Sequence, residues 1–108
     1  MPYISVRTNV EIKDKEALKK RLGEIITVIP GKTEARTMVS LHENVDLYFA
    51  GSDEPCAIAE TLVNAGTDHS RDREYLDLVI TVLSEELKIS EKRIYSLLDE
   101  EDMWFSRK

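Results

Sequence analysis

Two tetrapeptides, Met38-Val39-Ser40-Leu41 and Ile94-Tyr95-Ser96-Leu97, decide the fold. Each is short, alternating and rich in β-branched or aromatic residues, as a half-buried strand requires. Each follows a stretch with helical spacing. Before the first, Leu18, Leu22, Ile25, Ile26 and Ile29 recur at intervals that place them on one helical face. Before the second, Tyr75, Leu76, Val79, Ile80, Leu83 and Leu87 do the same. The chain therefore reads as two loosely similar units, each a helix leading into a strand.

The remaining elements extend outward from these. Tyr3 to Val10 predicts a first strand, in which Ile4, Val6 and Thr8 alternate with Ser5 and Arg7. Asp14 is placed to cap the first helix, and Pro30-Gly31 stops it. Thr37 to His42 is a strand, Glu43-Asn44 a turn, Leu47 to Ala50 a short strand and Gly51 to Pro55 a loop. Cys56 to Val63 is a further strand, ended by a turn at Asn64 to Asp68. The second helix runs from about Ser70 to Leu87, the last strand from Arg93 to Leu98, and Trp104-Phe105 lie in an acidic-then-aromatic tail. The expected class is α+β. Two β-α-β units form one mixed four-stranded sheet with both helices on one face. The opposite face is left bare, and partner subunits are expected to cover it.

Length and charge narrow the function. A chain of 108 residues suits one domain and buries only a small core, so oligomerisation is a natural way to cover apolar surface. A net charge of -6 argues against nucleic acid, which demands a cationic stripe. Lys and Arg alternate with acids in Lys13-Asp14-Lys15-Glu16 and Arg71-Asp72-Arg73-Glu74, the pattern of a solvated helix face. The one cysteine, Cys56, excludes an intrachain disulfide and a zinc site built from cysteine pairs, and reads as a small buried side chain. His42 and His69 have no ligand-like spacing and read as surface or turn residues. No phosphate-binding loop is present, and no cofactor or metal is expected. The sequence has no signal-peptide pattern at its start and no membrane-length apolar run, so a cytoplasmic protein is expected, with leaderless export as the alternative.

Several segments resemble the macrophage migration inhibitory factor family of the tautomerase superfamily. Met1-Pro2 followed by an alternating strand and Thr8-Asn9-Val10 is similar to the family's opening. Gly31-Lys32 stands where relatives carry Gly-Lys, and Phe49-Ala50-Gly51-Ser52-Asp53-Glu54-Pro55-Cys56 resembles their Phe-Gly-Gly-Ser segment. Leu87-Lys88-Ile89-Ser90, Arg93-Ile94-Tyr95 and Asp99 resemble the passage from the second helix into the last long strand. The resemblance implies a trimeric barrel with each active site between two subunits. It departs from the family at Ala59, where a second cysteine stands in relatives, so no thiol–disulfide activity is expected. It departs also at Asn64, at Leu97, at Arg36 and in the tail, where relatives carry a longer segment with a further strand.

The resemblance implies a catalytic role for Pro2. After removal of Met1 its nitrogen becomes a secondary amine, and an apolar pocket with a nearby cation lowers its pKa toward neutrality. Apart from the family, Pro2 reads as a residue that merely limits strand fraying. Lys32 is implied to bind the substrate carboxylate and lower that pKa; a lysine at a helix C-terminus is also favoured by the helix dipole alone. Asn64 is implied through its backbone N–H, or is a turn residue before Gly66. Tyr95 is implied to enter the pocket from a neighbouring subunit, or is a core aromatic. Arg36 is a candidate second carboxylate clamp, because guanidinium binds carboxylate in a bidentate fashion. Trp104 and Phe105 close the pocket or pack a subunit interface. The function implied is cofactor-independent keto–enol tautomerisation of phenylpyruvate-like α-keto acids. The alternative is a cytokine-like protein that binds a host receptor and keeps a vestigial pocket.

Overall fold

The computed structural model describes residues 1–107. Its elements are β1 (Tyr3–Thr8), α1 (Lys15–Ile25), β2 (Met38–His42), β3 (Ala57–Asn64), α2 (Asp72–Leu87) and β4 (Ile94–Glu101). The strand order is β2-β1-β3-β4. β1 runs parallel to β2 and antiparallel to β3, and β3 runs parallel to β4. Two parallel β-α-β units thus meet at the antiparallel β1–β3 pair, and the mixed α+β sheet expected from the sequence is observed.

The alternation of β1 explains its central position. Ile4, Val6 and Thr8 are fully buried against the helices, and Thr8 Oγ1 satisfies itself by donating to the Cys56 carbonyl at 2.8 Å. From β3, Ala57, Ala59, Thr61 and Val63 enter the same layer. The helices close it with Leu18, Leu22 and Ile26 from the first, and Tyr75, Val79, Val82 and Leu83 from the second. Ile25, Leu76 and Ile80, expected on the buried faces, are half-buried at the margin, while Val82 takes a fully buried place. Asp14 caps α1 as expected, its carboxylate accepting from Ala17 N at 2.9 Å. The helix tightens into a 3-10 turn at Ile26–Val28 before Pro30.

One expected element is absent. Leu47 to Ala50 is not a strand: Phe49 and Ser52 exchange two hydrogen bonds of 3.0 Å across a tight turn. Ala50 and Gly51 both have positive φ, at 54° and 75°, as a two-residue hairpin turn demands. The preceding residues are held by a side chain, since Asn9 Nδ2 donates to the carbonyls of Leu47, Asp53 and Glu54. A segment pinned in this way has no strand edge to join. The last strand extends further than expected, to Glu101, because its register with β3 continues to Asn64.

The face turned away from the helices is uncovered within one chain. In register across it lie Met38–Tyr3–Leu62–Asp99, then Ser40–Ser5–Glu60–Leu97, then His42–Arg7–Ile58–Tyr95. Met38 and Tyr95 are 68% and 61% exposed, which leaves large apolar groups largely uncovered at two corners of this face. Among the described residues no helix is long and apolar enough to cross a membrane.

The core contains one polar pair that can be tested. Tyr75 and Thr61 are fully buried, and their hydroxyls lie 2.7 Å apart. Burial pushes the Tyr75 phenol up to about 12. Tyr75→Phe leaves the Thr61 hydroxyl without that partner and is expected to cost about 1–2 kcal/mol of stability, read from urea unfolding midpoints.

Candidate active site

The site is built from the start of β1. This strand lies inside the sheet, and the Pro2 carbonyl accepts from Met38 N at 3.0 Å, so the amino-terminal residues are tied down rather than frayed. Pro2 is buried, and in the chain beginning at Met1 its nitrogen is an amide. The amine belongs to Met1 and donates to Asn64 Oδ1 at 3.1 Å.

Lys32 reaches the same oxygen. Gly31, with φ of 83°, turns the chain after Pro30, and Lys32 N donates to the Ile29 carbonyl at 3.1 Å. This aims the side chain back toward the sheet, where Lys32 Nζ donates to Asn64 Oδ1 at 2.9 Å. A 3-10 turn at Glu34–Arg36 follows and carries Arg36 to the site. That turn rests on α1, with the Glu34 side chain lying over Gly23: a Cβ on Gly23 would stand only 2.6 Å from Glu34 Cγ. The glycine in the last turn of the helix, costly by propensity, is the space the turn occupies.

Beside these groups opens a cavity of about 510 Å³, lined by Pro2, Tyr3, Arg36, Met38, Trp104 and Phe105 together with Met1. Its walls are mostly apolar, and Arg36 is the cation on its lining. The Met1 amine is held below its ordinary value of 8.0, first by burial, then by the Lys32 charge and hydrogen bond, and last by the Arg36 charge. An amine, two cations and an apolar cavity thus converge at one end of the sheet.

Pro2, Lys32, Arg36 and Asn64 are therefore brought together. Asn64 takes part through its side chain, where the sequence reading assigned its backbone. Tyr95 is not with them. It pairs with Ile58 on β3, whereas Asn64 pairs with Glu101. Six residues of strand separate the two positions, about 20 Å. Tyr95 instead meets Phe49 edge-on at 5.0 Å, and the Arg93 guanidinium lies over that Phe49 ring. Tyr3 and Met38 were missed as cavity residues. Their alternation pointed away from the core, which is the signal that would have found them. Cys56 is buried with a free thiol, as expected. Among the described residues no cluster of His, Cys, Asp and Glu is arranged to hold a metal.

The comparisons agree with this architecture. The profile of the family described as Macrophage migration inhibitory factor (MIF) matches residues 1–103. A macrophage migration inhibitory factor homolog of Brugia malayi is 24% identical over 96 residues, covering 88% of this chain and 84% of that protein. The crystal structure of a macrophage migration inhibitory factor homologue from Prochlorococcus marinus is 30% identical, with a TM-score of 0.77, over 94% of this chain and 88% of the other. That of Leishmania major MIF2 superposes with a TM-score of 0.88 at 20% identity, over 99% and 94% of the two chains. The chain belongs to the macrophage migration inhibitory factor family, a branch of the tautomerase superfamily.

One titrating group borders the site. His69, on the surface as expected, lies between Asp72 Oδ2 at 2.7 Å and Glu100 Oε1 at 2.6 Å. It links the start of α2 to the end of β4, beside Asn64 and just before the tail that supplies Trp104. Glu100 and then Asp72 raise its pKa above 6.5 by hydrogen bonding. A raised folded pKa means that its contribution to stability is complete below the unfolded value and is lost as pH rises through the folded one. His69→Gln is expected to flatten that part of the stability–pH curve, measured by thermal unfolding from pH 5 to 9. The contribution is small because the pair is exposed.

Proposed function

We propose that the protein is a cofactor-independent keto–enol tautomerase for phenylpyruvate-like α-keto acids, with Pro2 as the base once Met1 has been removed. The observation that carries this reading is the amine at the head of β1, held beside Lys32 and Arg36 with a lowered pKa, at the edge of an apolar cavity. Removal of Met1 shifts the amine by one residue along the strand, about 3.8 Å, and so keeps it within the same field.

The chemistry follows from these groups. A free secondary amine takes a proton from the carbon next to the substrate carbonyl. The carbon's electron pair becomes the double bond of the enol, and the carbonyl oxygen gains a proton. In the reverse direction the protonated amine returns the proton to carbon. A base poised near neutral pH suits both directions. Tyr3, Met38, Trp104 and Phe105 offer apolar surface for an aryl ring, and the Arg36 guanidinium faces the same cavity.

A donor for the enolate oxygen is still required. Tyr95 supplies it in this reading, from a neighbouring subunit, because within one chain it lies at the far end of the sheet. The exposed Met38 and Tyr95 on the uncovered face are the corners that such an assembly would join. We therefore place the site at the interface of a homotrimer.

Turnover is read from the ultraviolet-followed ketonisation of enol-phenylpyruvate, with protein whose mass shows that Met1 is absent. Saturable turnover is expected. Pro2→Gly is expected to lower kcat at least about a hundredfold while the circular dichroism spectrum is unchanged, in line with loss of a general base. Equal turnover in that variant excludes Pro2 as the base.

A further inference from the structure

Lys32 and Arg36 are both cations at the site, but the structure uses them differently. Arg36 lines the cavity, and among the described residues no carboxylate lies within salt-bridge distance of its guanidinium. Lys32 does not line the cavity. Its ammonium is bound to Asn64 Oδ1 at 2.9 Å, and the amino-terminal nitrogen is bound to the same oxygen at 3.1 Å. In the chain beginning at Met1, two positively charged donors therefore share one acceptor and stand no further apart than the sum of those two distances; removal of Met1 leaves the Lys32 bond and puts the new amine one residue further along β1. Left alone they would repel, and the flexible lysine would turn to solvent. The shared oxygen is what keeps it in place.

Asn64 is suited to this by its own restraints. It is the last residue of β3, in register with Glu101 of β4. Its carbonyl accepts from Thr67 Oγ1 at 2.6 Å, and the next residue, Ala65, donates from its backbone N–H to the Glu101 carbonyl at 3.0 Å. Its own side-chain nitrogen donates to the Ala65 carbonyl at 3.3 Å, which leaves the oxygen to face the two cations. An apolar residue of similar size at this position would offer Lys32 no acceptor.

We propose that Asn64 is a positioning residue for the amino-terminal base: its side-chain oxygen holds the Lys32 ammonium at the head of β1, within one residue of the Pro2 nitrogen that removal of Met1 frees, so that Lys32 acts on the base and Arg36 receives the substrate's carboxylate. This rests on the reading of the amino-terminal nitrogen as the base. The lowered pKa of the Met1 amine, caused first by burial and then by Lys32 ahead of Arg36, agrees with it. The charged groups that act on the amine are these two, Lys32 from the turn after α1 and Arg36 from the 3-10 turn that follows. Planar, bidentate guanidinium is the better carboxylate receptor of the two.

The test is a double-mutant cycle with two readouts: the titration of the ¹⁵N-labelled amino terminus by NMR, and kcat and KM for phenylpyruvate across pH. Asn64→Leu and Lys32→Met are each expected to move the amine's titration to higher pH. In the Lys32→Met background, Asn64→Leu is expected to give no further move to higher pH, since all that remains to lose is its own acceptor oxygen, which favours the protonated amine. Arg36→Ala is expected to raise KM about tenfold or more, the loss of a charged hydrogen-bonded contact, with partial recovery in Arg36→Lys. Lys32→Met raises KM much less. Asn64→Ala serves the same cycle if the leucine variant does not fold. An Asn64 effect on the titration that is equally large without Lys32 overturns the proposal, as does a Lys32→Met variant whose KM rises like that of Arg36→Ala with an unmoved titration. Wild-type protein that lacks turnover, but whose titrations follow the cycle, overturns the base and leaves the placement of Lys32 standing.

Discussion

The amino terminus of this protein begins an interior strand, and the site depends on that. A chain end is ordinarily loose and its amine fully hydrated. Here β1 is hydrogen-bonded on both edges, parallel to β2 and antiparallel to β3, and the pairing with β2 reaches back to the Pro2 carbonyl. The burial of Ile4, Val6 and Thr8 holds the strand down. A charged group is thereby kept against protein instead of water, and its protonated form becomes less favourable.

Around that fixed point the two turns after α1 act as a delivery device. Gly31 reverses the chain, Lys32 returns to the end of β3, and the 3-10 turn seated on Gly23 brings Arg36 to the cavity. The cations come from a segment with little regular structure, but each is placed by a backbone hydrogen bond or a packing contact. The electrostatics therefore follow from covalent geometry and packing, and among the described residues no ion pair at the amine cancels them. His69, by contrast, has two carboxylates on it and ties the strand that leads to Trp104.

The sheet's second face explains why one chain is an incomplete description of the proposed catalyst. Its three cross-strand rows mix apolar and charged side chains, and Met38 and Tyr95, its most exposed large apolar members, lie at opposite corners. A base at one end and a phenol at the other serve one reaction only if copies are arranged so that the ends meet. The shared family fold and the uncovered face point in the same direction, the first by likeness and the second by surface chemistry.

Periodicity determined most of the architecture. The helical spacing of Leu18 to Ile29 and of Tyr75 to Leu87, and the alternation of Ile4, Val6 and Thr8, specified elements and buried faces, because each of these is a local property of the chain. The same locality misled at Leu47 to Ala50, where an alternating stretch is captured by Asn9, a residue distant in sequence. Pro2, Lys32, Asn64 and Tyr95 were legible as candidates by family resemblance, and Arg36 by the affinity of guanidinium for carboxylate. Only the tertiary structure decided that the first four meet and the fifth stands apart, that Asn64 faces Lys32 with its side chain, and that Tyr3 and Met38 form the cavity wall. Strand order and register set those distances, and they are settled by pairing between segments dozens of residues apart, which no local pattern records.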